Sequence, residues 1–166
     1  MSKPLRIIGI DPGSRITGYG IIDKLGAGLG FVACGTIRVE REQDFSRRLL
    51  VIFNGLSEII EKYQPEIAAA EELFVARNVR SALKLGQARG AAVVAAMRHG
   101  LPVHGYPPRQ VKQAVTGYGH AEKEQVRQMI QVLLELSGPP SSDAADALAV
   151  AVCHAQQFSV MAAATS

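Results

Sequence analysis

The spacing of apolar and polar positions changes period twice along the chain. Leu5 to Asp11 is an apolar run closed by the turn signal Pro12-Gly13. Ile16 to Asp23, rich in β-branched residues, runs to the breaker Gly26-Ala27-Gly28, and Phe31 to Val39 makes a third run. Short turns between successive strands predict an antiparallel meander. From Asp44, a residue suited to cap a helix, apolar side chains recur at Leu49, Phe53, Leu56, Ile59 or Ile60, and Tyr63, and Pro65 ends that helix. Glu66 to Glu71 is a short strand that, after a helical crossover, should lie parallel to the first. A second helix is predicted from about Val79 to Met97, then a strand over Leu101 to Tyr106 closed by Pro107-Pro108. Helical patterns cover Arg109 to Val115, Glu122 to Leu136, and Ser142 to about Gln157. Beyond Ser159 little anchors the chain, so 1–158 reads as one domain and 159–166 as a flexible tail.

The order β-β-β-α-β-α-β-α-α-α predicts an α/β fold, a mixed five-stranded sheet flanked by helices. A length of 166 residues, 48% of them hydrophobic and 20% charged, suits one globular domain. Aromatics are only 5%, so Ile, Leu, Val and Ala must fill the core. The net charge of +3 permits a phosphate-backbone partner without demanding one. Neither a secretory signal nor an apolar run near the roughly 18 residues of a membrane span is evident, which points to a cytoplasmic protein with no membrane partner. Cys34 and Cys153 read as reduced, buried thiols, and neither has a neighbour at zinc-ligand spacing.

Carboxylates carry the candidate chemistry. Asp11 and Glu71 each end a strand, and if those strands are parallel neighbours the two acids share one sheet edge, where α/β folds form their ligand crevices. Taken singly, each is more often a strand-end acid facing water. Asp143 and Asp146 lie three residues apart at the start of the last helix, so both project from one face. Two acids on a first turn can simply complement the helix dipole. Four converging acids, however, would repel one another unless cations neutralised them. Mg²⁺ suits oxygen-only ligands, and two such ions about 4 Å apart can hydrolyse a phosphodiester. His99, His104 and His120 are placed on loops or helix ends, whereas His154 could support the acids from behind.

Five segments together are specific enough to indicate a family. They are Gly9-Ile-Asp-Pro-Gly-Ser-Arg-Ile-Thr-Gly-Tyr-Gly20, Ser81-Ala-Leu-Lys-Leu-Gly-Gln-Ala-Arg-Gly90, Arg109-Gln-Val-Lys-Gln113, Ala121-Glu-Lys123 and Asp143-Ala-Ala-Asp-Ala-Leu-Ala149. Over nearly its full length the chain resembles the RuvC Holliday junction resolvases. That resemblance implies a ribonuclease H-like fold, a homodimer, and paired nicks in opposing strands of a four-way DNA junction during recombination and repair. It places the catalytic, metal-holding carboxylates at Asp11, Glu71, Asp143 and Asp146, with two Mg²⁺ per site, replaceable by Mn²⁺. Alignment on Leu73-Phe74 selects Glu71 over Glu72, and strand alternation sends those two side chains to opposite faces. A preference for thymine-containing steps and work beside the branch-migration proteins RuvA and RuvB are also implied.

Basic residues form three helical stripes: Arg77, Arg80 and Lys84; Arg109 and Lys112; Lys123 and Arg127. Such stripes can bind phosphates without reading sequence, though each alone is most often a solvated face. The resemblance gives Lys112 and Lys123 phosphate-side roles at the cleavage centre, where an ammonium could stabilise transition-state charge. Phe74, past Glu71, either caps the core or, as the resemblance suggests, stacks on bases at the junction centre. Tyr118 could touch DNA from its Gly-flanked loop. Leu83, Ala91, Val94 and Ala95 offer either a dimer surface or a sheet-packing face. The rivals are a related nuclease acting on RNA or ordinary duplex, a non-catalytic junction-binding protein, and an actin-like or sugar-kinase half. The last would need a second domain and a glycine-rich adenosine loop.

Overall fold

The structure, a computed structural model, describes residues 2–72 and 78–165. Strands β1 (Leu5–Asp11), β2 (Ile16–Leu25) and β3 (Gly28–Arg38) form the antiparallel meander that their tight turns dictate. Helix α1 (Phe45–Tyr63) crosses over, and β4 (Ile67–Glu71) pairs parallel with β1, with Ile10 opposite Ala70. Then come α2 (Val79–Arg98), β5 (Val103–Tyr106), α3 (Pro108–Thr116), α4 (Lys123–Leu133) and α5 (Ser142–Ala164). The sheet order is β3-β2-β1-β4-β5, with β5 parallel to β4.

Local chemistry sets the boundaries. The Asp44 carboxylate accepts from the Ser46 amide at 3.0 Å and caps α1. That helix closes at Gln64 in the left-handed region, one residue before Pro65. Glu135, also left-handed, stops α4 earlier than the apolar pattern suggested. In the other direction, α5 runs seven residues beyond Gln157, to Ala164, so residues of the expected tail are helical. Their apolar side chains lie open, Val160 at 63% and Met161 at 65% exposure.

Strand alternation divides the core between two faces. Ile8, Ile10 and Ala68 meet Ile52 and Leu56 of α1 and Ala88, Ala92 and Ala95 of α2. Ile7 and Ala69 meet Val111 of α3, Val126 and Ile130 of α4, and Leu148 and Val152 of α5. Asp11 has the parity of Ile7, and Glu71 that of Ala69, so both carboxylates emerge on the α3–α5 side. Ala95, assigned from sequence to a possible dimer stripe, is fully buried against this sheet. Leu83 (64%) and Val94 (57%) do face outward, joined by Val79 and Met97.

Helix α5 is the centre of the second layer, buried from Ala144 to Ala155 except for Asp146. By length and composition it could cross a membrane, which the sequence reading did not expect; here its apolar residues from Ala144 to Ala155 fill the core. Two strand glycines let it approach. A Cβ at Gly9 would sit 2.0 Å from the Ala147 carbonyl oxygen, and one at Gly18 would sit 2.1 Å from that of Asp143. The helix backbone therefore lies directly on β1 and β2, which carries its first turn over the strand ends.

Candidate active site

Asp11, Glu71, Asp143 and Asp146 line one cleft of about 240 Å³, together with Pro108, Val111, Lys112, Lys123, Val126 and Ala149. The four acids arrive from three elements. Asp11 and Glu71 stand at adjacent ends of parallel strands. Asp143 and Asp146 come from the first turn of α5, which Ser141 caps by accepting from the Ala144 amide. Lys112 belongs to α3 and Lys123 opens α4, where Glu122 and Gln125 form a reciprocal capping box.

Burial, reinforced by crowded negative charge, sets the electrostatics. Asp11 is pushed up to about 8, first by burial, then by Asp146, Glu71 and Asp143. Glu71 and Asp146 are raised too, in each case chiefly by burial. Lys123 opposes the effect: its Nζ lies 3.4 Å from Asp146, and that carboxylate in turn raises the lysine. A buried acid that resists ionisation beside three others is what a cation is needed to relieve. Among the described residues no three His, Cys, Asp or Glu side chains already close into a metal cage. The acids form an open, oxygen-only set, the donor chemistry of hard divalent ions that keep waters and substrate phosphates in their shells.

The remaining candidates separate. Glu72 turns to the opposite face, its side chain packing on Gly105 near Arg89. Arg80 is exposed on the first turn of α2, and Lys84 lies over the Phe45 ring at 5.7 Å. Arg109 covers Gly119, away from the cleft, while Tyr118 is 59% exposed and meets His120 edge-on. Arg127 is a structural residue, donating to the Pro140 carbonyl at 2.7 Å and so fixing the approach to α5. Phe74 and Arg77 lie outside the described residues. His104 is in strand β5, not on a loop, and its ring lies 4.7 Å from that of His154. His154 bonds Tyr106 at 2.7 Å and does not reach the acids. Sequence reasoning missed that pair, and also Pro108, Val111, Val126 and Ala149 as cleft walls, because ordinary helix and strand positions carry no local sign of facing a site.

A mixed sheet whose strand ends and central helix bring acids together, with lysines at the rim, defines a ribonuclease H-like, metal-dependent nuclease. Comparison with known proteins narrows that class. The family model for crossover junction endodeoxyribonuclease RuvC matches residues 7–154. A relative of that name from Geobacter sulfurreducens is 58% identical over 151 residues, covering 91% of this chain and 92% of its own. The solved structure of Thermus thermophilus RuvC in complex with a Holliday junction substrate superimposes with a TM-score of 0.89 at 36% identity, over 95% of this chain and 96% of that one. A yeast mitochondrial Holliday junction resolvase shares the fold, with a TM-score of 0.63 at 11% identity over 98% of this chain and 86% of that one. The chain belongs to the crossover junction endodeoxyribonuclease RuvC family.

Proposed function

We propose that this protein resolves four-way DNA junctions by paired, symmetric phosphodiester hydrolysis, with Asp11, Glu71, Asp143 and Asp146 holding two Mg²⁺ ions that Mn²⁺ can replace. The observation that carries the reading is the meeting of those acids with Lys112 and Lys123 in one cleft. Bound divalent ions supply Lewis acidity and an activated water. The chain's own groups supply the rest. Asp11 is held rigidly at the strand end, and the α5 acids are set by helix geometry. The lysine ammoniums stand where negative charge grows on the phosphoryl oxygens. Hydrolysis then forms one bond from water oxygen to phosphorus and breaks the bond to the leaving oxygen.

Arg80, Lys84 and Arg109, with Arg77, serve phosphate contact, and Tyr118 and Phe74 serve base stacking. A homodimer supports paired nicking, since two-fold symmetry presents two clefts to opposed strands. Val79, Leu83, Val94 and Met97 form an outward apolar stripe for it. Along that stripe Gly86 and Gly90 have open space around their missing Cβ atoms, which allows a second helix to approach closely. Residues 1–158 form the nuclease unit, working in the cytoplasm beside RuvA and RuvB. The test is cleavage of a synthetic four-way junction with thymine-containing steps, in Mg²⁺ or EDTA, beside linear duplex of the same sequence. Symmetric, Mg²⁺-dependent nicks in the junction alone are expected. Equal cutting of both substrates would indicate a general nuclease, and binding without cutting a recognition protein.

A further inference from the structure

Helix α5 buries an almost unbroken series of Ala, Val, Leu and Cys side chains, and among them one imidazole, His154, at 4% exposure. Its Nδ1 lies 2.7 Å from the Tyr106 hydroxyl, itself on a buried residue, and its Nε2 is buried with no hydrogen-bond partner among the described residues. Whichever tautomer is present, one ring nitrogen is left unpaired, a penalty that a leucine at 154 and a phenylalanine at 106 would avoid. A core position that departs from its apolar neighbours at such a penalty is expected where function requires it.

The location of the pair indicates the requirement. Tyr106 is the last residue of β5 and stands directly opposite Glu71 in the β4–β5 ladder. Its carbonyl accepts the Glu72 amide at 2.8 Å. Pro107 and Pro108 follow at once and start α3, whose Pro108, Val111 and Lys112 form one wall of the cleft. His154 lies about two turns beyond Asp146 on the helix whose first turn carries Asp143 and Asp146. The Tyr106–His154 hydrogen bond therefore joins the helix carrying two of the acids to the β5 end that pairs with Glu71 and leads directly into α3, the helix carrying Lys112.

We propose that Tyr106 and His154 are positioning residues for phosphodiester cleavage, clamping the Glu71–Lys112 wall of the cleft at a set distance from the Asp143–Asp146 wall. The inference rests on the nuclease reading above. Neither residue touches the cleft, so they should affect the chemical step and not junction affinity. A displacement of even 1 Å at reacting groups can slow a reaction by around a hundredfold, and loss of one clamp bond should slow it by roughly tenfold.

The experiment is single-turnover junction cleavage by Tyr106→Phe, which keeps the ring and removes the hydroxyl, with Ile60→Val as a control. Ile60 packs on the opposite face of the sheet, so its variant loosens the core without touching the clamp. Tyr106→Phe is expected to cut about tenfold slower at saturation. Its junction Kd should stay within twofold of the parent, and the Glu72 amide should exchange hydrogen faster. His154→Gln, which keeps a group able to bond the hydroxyl, should recover part of the rate lost in His154→Leu. Cleavage by Tyr106→Phe within twofold of the parent, or a loss matching that of Ile60→Val at equal change in Tm, would overturn the inference. If the parent protein cuts no junction at all, the nuclease reading fails by itself. Unchanged Glu72 exchange in Tyr106→Phe would then reject the clamp separately.

Discussion

At the scale of single residues, the cleft holds an excess of negative charge that metal binding is expected to offset. Asp11 is the acid most raised by its surroundings. Asp11→Asn keeps the shape of the side chain and removes a carboxyl whose burial among the other acids opposes folding, because the unfolded chain ionises it and the folded protein resists doing so. In EDTA at neutral pH it should melt several degrees above the parent by calorimetry, yet lose at least a hundredfold in junction cleavage. Added Mg²⁺ should raise the Tm of the parent and not that of the variant, because only a state that binds the ion is stabilised by it. Lys123→Ala removes the ammonium 3.4 Å from Asp146. Loss of one charge-stabilising donor typically slows turnover by about a hundredfold or more, and single-turnover cleavage should show a loss of that order. His154 provides the pH-dependent case. Burial, then His104, pushes it down to about 4, so the folded protein keeps the imidazole neutral while the unfolded chain takes up a proton below about 6.5. Stability linked to it is therefore present above pH 6.5 and lost as pH falls through 4. Urea unfolding should show a smaller acid loss in His154→Phe than in the parent, by no more than about 3 kcal/mol.

At the scale of elements, placement of the α5 acids depends on how closely the helix lies against the sheet. A methyl at Gly18 would overlap the Asp143 carbonyl oxygen at 2.1 Å, so either the helix or the strand must shift. Overpacking of this kind costs about 1–3 kcal/mol. Gly18→Ala is expected to lower the urea midpoint by a matching amount and to reduce cleavage further than the stability loss alone accounts for. Gly90→Ala is the converse. It stands in open space on an exposed helix, where Ala is favoured over Gly by about 1 kcal/mol. The subunit should become slightly more stable, while any close self-association through α2 should weaken, which thermal melts and sedimentation read separately.

At the scale of the whole molecule, paired nicking requires two clefts presented to opposed strands. Leu83→Glu combined with Val94→Glu puts charge on the exposed stripe of α2, away from the core side of that helix. Sedimentation should show a monomer, and cleavage should change from coincident to single, uncoupled nicks. A dimer with intact coincident nicking would place the partner surface elsewhere. The same comparison of faces separates the two readings the sequence left open for Ala95: small residues suit both a dimer seam and a sheet-packing face, and only their direction on the folded helix decides between them.

Much of the fold was legible because its signals are local. Apolar alternation, Pro12-Gly13, Asp44 as a cap, and the Pro107-Pro108 break each act within a few residues, so strands and helices could be placed without tertiary information. Asp11, Glu71, Asp143 and Asp146 were legible for a related reason, since strand ends and the first turn of an alanine-rich helix point in known directions. Where α4 and α5 end was less legible, because the apolar pattern of each differs from the extent of its hydrogen-bonded helix. What no local pattern could supply is the meeting of distant segments. The approach of Gly9 and Gly18 to α5, the turning of Arg127 to Pro140, the walls made by Val111 and Val126, and the bond from Tyr106 to His154 join segments that only folding brings together. The sequence by itself determined which chemical groups stand at the ends of which elements. Tertiary packing alone decided the distances between those ends, and catalysis depends on these distances because charge repulsion, metal affinity and transition-state stabilisation all vary steeply over a few ångströms.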